Sequence, residues 1–197
     1  DLYGPLTTYK TIEKNNPSTY NTIVMGPWSH GDWARSRERQ AVGNVYFGDH
    51  ISDFYQREIE RSFFNHFLKG WTVGSGLPEA YMYDTGRKGW TRFAQWPPEN
   101  TETINYFVDD EKALNRTAPD EGEAYSEFIS DPANPVPYTE DIKVVFTPRK
   151  YMSDDQRFAA RRPDVLTFET EVLEDDVTLA GEIMAELLVS TTGTDAD

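Results

Sequence analysis

The apolar pattern of this 197-residue chain changes period part way along, and that change limits the fold more than any other feature. Before residue 70 the spacing is helical with one strand between. Leu2, Leu6, Tyr9 and Ile12 recur on one helical face, and Asn15-Asn-Pro17 stops that helix. Thr22 to Met25 is a short, partly β-branched run closed by Gly26-Pro27, which predicts a buried strand entering a loop. A second helix is predicted over Ser52 to Lys69. Tyr55, Ile59, Phe63 and Phe67 fall four apart, Asp53 and Gln56 have capping-box spacing, and Gly70 occupies the C′ position. Helix, strand and helix in succession predict an α/β layer.

After Gly74-Ser-Gly76 the apolar runs shorten. Ala80–Asp84, Trp90–Ala94, Ile104–Val108, Lys143–Phe146, Leu166–Glu171 and Glu182–Val189 are rich in aromatic or β-branched residues. Gly86-Arg-Lys-Gly89, Pro97-Pro98, Asp131-Pro132 and Asn134-Pro135 separate them. Short strands between turn formers predict an all-β sandwich or jelly roll. The expected fold class is therefore α/β plus all-β, with residues 1–74 in the first domain and 75–197 in the second. Charge divides the chain in the same way. Residues 1–98 carry 11 Lys+Arg against 10 Asp+Glu, whereas residues 99–197 carry 8 against 24. The acidic stretches Asp109-Asp-Glu111 and Asp120-Glu-Gly-Glu123 are expected to be solvated faces.

A formal net charge of −15 opposes phosphate backbones and anionic membrane faces, so neither nucleic acid nor membrane is an expected partner. No apolar run approaches the roughly 20 residues that span a bilayer. The absence of cysteine removes disulfides and thiolate metal sites, and says nothing of compartment. The chain opens at Asp1 with neither an initiator Met nor a leader-like segment, so it is expected to be a piece of a longer protein.

Three histidines are present. His30 follows the predicted strand at once, in Gly26-Pro-Trp-Ser-His-Gly31, which would hold an imidazole at the carboxyl end of a sheet strand. Open α/β sheets build their sites there, and a general base needs a near-neutral pKa on a rigid turn. The plainer reading is a loop histidine bonded to backbone. His66, beside Phe63, Phe64 and Phe67, is expected to pack at an interface, and His50 is given no role. The histidines lie 20 and 16 residues apart without a metal-binding pattern, so no metal is expected. Asp195-Ala-Asp197 alone does not make a calcium loop. There is no Gly-x-Ser-x-Gly nucleophile elbow, no Walker loop and no dinucleotide fingerprint, and no cofactor is expected.

Gly26-Pro-Trp-Ser-His30 after a strand, then Phe63-Phe-Asn-His-Phe-Leu-Lys-Gly70 closing a helix, resembles the CocE/NonD hydrolases. That family includes X-Pro dipeptidyl-peptidases, cocaine esterase, glutaryl-7-aminocephalosporanic acid acylases and α-amino acid ester hydrolases. The likeness continues through Pro78-Glu-Ala-Tyr-Met-Tyr83, Trp90, Trp96-Pro-Pro98 and Asp131-Pro-Ala-Asn-Pro-Val-Pro137. It resumes at Asp155-Gln-Arg157, Asp164-Val-Leu-Thr-Phe-Glu-Thr-Glu171 and Val189-Ser-Thr-Thr-Gly-Thr-Asp195. Each piece is short, and their colinearity over nearly the whole chain carries the resemblance.

The resemblance implies the C-terminal end of an α/β-hydrolase domain followed by part of a galactose-binding-like β jelly roll. It implies a Ser-Asp-His triad in which His30 is the histidine and the serine lies outside these residues. Asp1 matches the last residue of a Trp-Asp-x-Glu-Asp pattern in the α-amino acid ester hydrolases, where it joins a carboxylate cluster on the substrate's α-ammonium group. A dipole-complementing helix cap is the plainer reading of Asp1. Trp28 is expected beside the histidine, as a substrate-binding residue or as core. The implied substrate is a small molecule or short peptide with an amide or ester bond. A homo-oligomer is left open, as is location, with bacterial periplasm or secretion among the choices. The competing reading is a non-catalytic module that binds glycans by stacking on Trp90, Trp96 and Tyr138, or that walls an active site.

Overall fold

The computed structural model describes residues 2–35, 38–72, 74–119, 125–142 and 153–194. Asp1, Asp120-Glu-Gly-Glu123, the expected strand Lys143–Phe146 and Asp195-Ala-Asp197 lie outside the described residues. The chain divides into two units, Asp1–Asn100 with Pro148–Ser153, and Thr101–Thr147 with Asp154–Asp197.

In the first unit, helix α1 (Tyr3–Asn15) leads to strand β1 (Ile23–Met25). A short helix α2 (Asp32–Arg35) follows, then strands β2 (Arg39–Val42) and β3 (Val45–Asp49). An uninterrupted helical stretch comes next, as α3 (Ile51–Phe54), a π-helical segment (Tyr55–Glu60) and α4 (Arg61–Lys69). Strands β4 (Ala80–Asp84) and β5 (Gly89–Phe93) complete the unit. β1 pairs parallel with β4, Ile23 opposite Ala80 and Met25 opposite Met82. β4 pairs antiparallel with β5 around Thr85–Lys88, where Asp84 Oδ1 accepts the Gly86 and Arg87 N–H groups at 3.0 and 2.9 Å. A parallel pair requires a crossover, and here the crossover contains the β2–β3 hairpin and the long helical stretch. β4 and β5 lie in one sheet with β1, and the first compact unit runs to Asn100.

The core explains the order. Tyr9, Ile23, Ala80 and Met82 are buried together, with Leu6, Met25, Phe93 and Trp96 packed against them. Tyr9 is only 3 % exposed, yet its hydroxyl donates to Glu79 Oε1 at 2.5 Å and accepts the Trp96 N–H at 3.3 Å. One side chain therefore fixes α1 to both ends of the β4–β5 hairpin. Burial first, and then the Glu79 hydrogen bond, push the Tyr9 phenol above the ordinary tyrosine range.

The helix start differs from expectation. Asp53 and Gln56 make no capping box, because His50, in the left-handed region at φ 56°, precedes Ile51 and starts the helix earlier. The C-terminal expectation holds, since Gly70 closes α4 at φ 66°. Gly43-Asn44 turns β2 into β3, a hairpin absent from the sequence reading.

In the second unit the described residues form small pieces. β6 (Phe107–Val108) pairs with β7 (Leu114–Asn115), and Ala113 bridges to Glu169. Asp109, expected to be merely solvated, organises that turn by accepting from Ala113 N–H at 2.8 Å and Asn115 Nδ2 at 2.5 Å. Arg162 donates to Asp164 and to the Asn134 carbonyl, and Arg157 forks onto Asp155. Glu182–Val189 forms no ladder with the described residues, and Leu187 and Val189 stay exposed. The described residues form small mixed sheets with few helices.

Candidate functional site

β1 ends at Met25, and the next seven residues are held by close contacts rather than by a ladder. Gly26 lies under the Trp28 indole so closely that a Cβ there would sit 2.1 Å from Cζ3, which only glycine permits. The Asp32 N–H donates to the Ser29 carbonyl at 3.1 Å, closing a β-turn with His30 and Gly31 at its corners. Gly31 has φ +79°, the value a type II turn requires at its third position. The Ser29 hydroxyl bonds the Asp32 carboxylate across the same turn, and both residues are buried, at 3 % and 2 % exposure. His30 is thus the exposed corner of a turn whose two ends are buried and tied together. Its imidazole stands edge-on to Trp33, with ring centroids 6.4 Å apart.

Below the turn is a polar knot. Ser52, fully buried in α3, accepts the Trp28 Nε1–H at 2.9 Å. Its own hydroxyl proton faces two acceptors at 3.3 Å, the Asp32 carbonyl and Gln40 Oε1. Gln40 reaches inward because β2 carries a register shift between Gln40 and Ala41. Trp28 itself is half-buried, in contact with Tyr55 at 4.9 Å and Trp90 at 5.8 Å between ring centroids. Its indole therefore has a packing role and a hydrogen-bonding role in the loop before His30. Burial pushes the Tyr55 phenol upward, with Glu60 adding to the effect.

The other candidates fall elsewhere. Asp1 lies outside the described residues. His66 Nδ1 donates to the Trp71 carbonyl at 2.9 Å and its ring packs on Phe67, tying down the end of α4. Since a carbonyl only accepts, His66 Nδ1 carries the proton in that bond. His50 is the left-handed residue before α3, 3.7 Å from the Asp53 carboxylate. Of the three aromatics in the glycan reading, Trp90 is surrounded by Phe54, Tyr81 and Tyr83, and Trp96 packs on Phe93. Tyr138 is half exposed. An open hollow of about 450 Å³ lies along Tyr46, Phe54, Tyr83, Lys88 and Trp90, and His30 does not line it. Among the described residues no cluster of three or more His, Asp or Glu could hold a metal ion, and no helix is long and apolar enough to cross a membrane.

Sequence reasoning singled out His30 as a candidate and did not single out Ser29, Asp32, Gln40 or Ser52. Their chemistry is ordinary hydroxyl, carboxylate and amide bonding, and no spacing marks it, because Ser52 meets Asp32 and Trp28 only after the hairpin folds.

Comparison with known proteins follows the same order along the chain. Residues 73–197 match the family of X-Pro dipeptidyl-peptidase C-terminal non-catalytic domains. The chain is 28% identical over 206 residues to the cocaine esterase of Rhodococcus sp. (strain MB1 Bresler), covering 98% of the chain and 34% of the esterase. It is similar in structure to an aminopeptidase from the marine sediment archaeon Thaumarchaeota archaeon, with a TM-score of 0.78 and 31% identity over 89% of the chain and 29% of that enzyme. An α-amino acid ester hydrolase gives a TM-score of 0.76 and 27% identity, covering 92% of the chain and 31% of the enzyme. The chain spans about a third of the length of these relatives, all of which are hydrolases by name. It belongs to the CocE/NonD family, and within that family residues 73–197 belong to the X-Pro dipeptidyl-peptidase C-terminal non-catalytic domain.

Proposed function

We propose that this chain contributes the histidine of a serine acyl hydrolase that cleaves amide or ester bonds, with His30 as the general base. The observation that carries this reading is the His30 turn at the carboxyl end of β1: exposed at its corner, buried and cross-bonded at both ends. A base held this way offers one ring nitrogen to solvent-borne substrate while its backbone stays fixed.

In the proposed cycle, His30 takes the proton from a serine hydroxyl as that oxygen attacks the acyl carbon. The imidazolium returns the proton to the leaving amine or alcohol, and the same imidazole then activates the water that clears the acyl-enzyme. The serine and the triad acid are contributed by sequence other than these 197 residues, which hold no nucleophile elbow. Trp28 excludes water behind the turn, and Asp1 joins the carboxylates that hold a substrate ammonium group. The fold in this reading is the end of an α/β-hydrolase domain followed by a galactose-binding-like jelly roll. The three relatives named above, an esterase, an aminopeptidase and an amino acid ester hydrolase, support acyl transfer as the shared chemistry.

The test is active-site labelling of the full-length protein with a fluorophosphonate, wild type beside His30→Ala. Labelling of the wild type and a loss of several orders of magnitude in the variant, with the fold intact, is the expected result. Near-normal labelling of a folded His30→Ala protein refutes the assignment.

A further inference from the structure

We propose that the Ser52 hydroxyl is the positioning group for His30, a role that rests on the acyl-transfer reading above. The bonds inside the turn, Asp32 N–H to Ser29 carbonyl and Ser29 hydroxyl to Asp32 carboxylate, fix its shape but do not fix its place on the scaffold. Ser52 does that from both sides. Its oxygen accepts the indole N–H of Trp28, two residues before His30, at 2.9 Å. Its proton, which also faces Gln40 Oε1, is directed at the carbonyl of Asp32, two residues after His30, at 3.3 Å. A single hydroxyl in α3 thereby grips the segment on either flank of the exposed histidine, across 24 and 20 residues of sequence.

The chemistry requires a group that accepts and donates at once, in a place too small for anything longer. A serine hydroxyl has one donor and two acceptor sites and fits a fully buried position. Alanine keeps the volume of the backbone and Cβ but supplies neither bond. At zero exposure no water is at hand to replace them. With Ser52 removed, Trp28 and the Asp32 carbonyl lose their common anchor, and the His30 corner gains freedom relative to β1. Proton transfer tolerates little of that, since a displacement of about 1 Å costs about 100-fold in rate.

The experiment uses the full-length protein with p-nitrophenyl acetate as acyl donor, comparing wild type, Ser52→Ala, Trp28→Phe and His30→Ala. Turnover is measured well below the unfolding temperature and normalised to folded protein by circular dichroism. Ser52→Ala is expected to lower kcat about 10- to 100-fold with KM within about 2-fold, and to lower the plateau of the pH–rate profile without moving its inflection. Trp28→Phe removes the N–H donor together with part of the indole that packs on Tyr55 and Trp90, keeps one aromatic ring, and is expected to lower kcat about 10-fold. A purely structural Ser52 would lower the unfolding temperature and leave kcat per folded molecule unchanged, which overturns the proposal. Should Ser52→Ala fail to fold, Trp28→Phe decides: wild-type kcat in that variant overturns it. If His30→Ala retains full turnover, the acyl-transfer reading fails and the positioning role fails with it. If His30→Ala is inactive and Ser52→Ala is normal, only the positioning role fails.

Discussion

Replacing Gly26 by alanine tests the loop that carries His30 without touching His30 itself. A Cβ built on Gly26 lies 2.1, 2.4 and 2.5 Å from Cζ3, Cη2 and Cε3 of Trp28. Carbon atoms in contact prefer about 3.5–4.0 Å, so the indole must retreat by roughly 1.5 Å. It cannot do so freely, because its Nε1–H is 2.9 Å from Ser52 Oγ and its ring meets Tyr55 and Trp90. Losing the Ser52 bond costs about 1 kcal/mol, and overpacking a filled site costs about 1–3 kcal/mol more. The sum, about 2–4 kcal/mol, opposes the roughly 0.4–1 kcal/mol that alanine contributes by restricting the unfolded chain. Urea unfolding followed by tryptophan fluorescence isolates the effect, since all five tryptophans fall before residue 100 and report on the first unit. With a slope near 2 kcal/mol per molar urea, the midpoint is expected to fall by about 0.5–1.8 M. The same substitution in a Trp28→Ala background, where the methyl group meets no ring, should be neutral or stabilising. A midpoint unchanged within about 0.3 M where Trp28 is retained, or an equal loss with and without the indole, refutes the steric reasoning.

Tyr9→Phe leaves the Glu79 carboxylate without a donor and the Trp96 N–H without an acceptor, and should cost about 1–3 kcal/mol in the same fluorescence assay. Because burial and Glu79 raise the folded phenol above an unfolded value near 10, this stability is complete below about pH 10 and is lost as pH rises further. Tyr9→Phe should therefore flatten the fall in urea midpoint above about pH 10, and an identical alkaline slope in both proteins would contradict the assignment. In the second unit, hydrogen bonds from Arg157 hold the Asp155 carboxyl down at about 2 against an ordinary 3.8. Its favourable contribution is present above about pH 4 and fades as pH falls through about 2. A carbon-detected titration should find a midpoint near 2 in the wild type and a midpoint moved up toward 3.8 in Arg157→Gln, which keeps the backbone N–H of residue 157 on the carboxylate. A single unshifted midpoint in both would show that the ion pair does not persist in solution.

How far the fold was legible depended on whether the deciding interaction was local. α1, β1, the helix ending at Gly70 and the β4–β5 hairpin were all readable. Each is set by periodicity or by a turn residue within its own segment, as with Gly70 at φ 66°. The β2–β3 hairpin was readable in principle, because Gly43-Asn44 between two short runs is a two-residue turn signal. The start of α3 was misjudged since a left-handed histidine is a poor cap by propensity, and only the β3–α3 corner imposes it. Which sheet takes β4 is a long-range matter. Its alternating Ala80–Asp84 run suits either an antiparallel sandwich or an α/β sheet, and the choice is made by Ile23 and Met25 lying 57 residues earlier in register.

The site divides along the same line. The turn that carries His30 was legible because a strand, a Gly-Pro turn and an imidazole are adjacent in sequence. The residues that give it a place were not, because each is unremarkable by itself and acquires a role through a partner at a distance. Ser52 is 24 residues from Trp28, and Gln40 reaches Ser52 only through the irregularity in β2. Burial shows what the sequence could not: Ser29, Asp32, Gln40 and Ser52 are polar side chains at 3 % exposure or less, packed into one region. Such residues cost desolvation free energy in a fold that needs only a loop there, and apolar residues of similar size would close the gap at lower cost. A polar knot repays that cost in specificity, since hydrogen bonds fix one arrangement where apolar contacts permit several. The exposed residue it constrains is His30, and that coincidence makes the knot, more than the histidine alone, the reason to read this loop as a site.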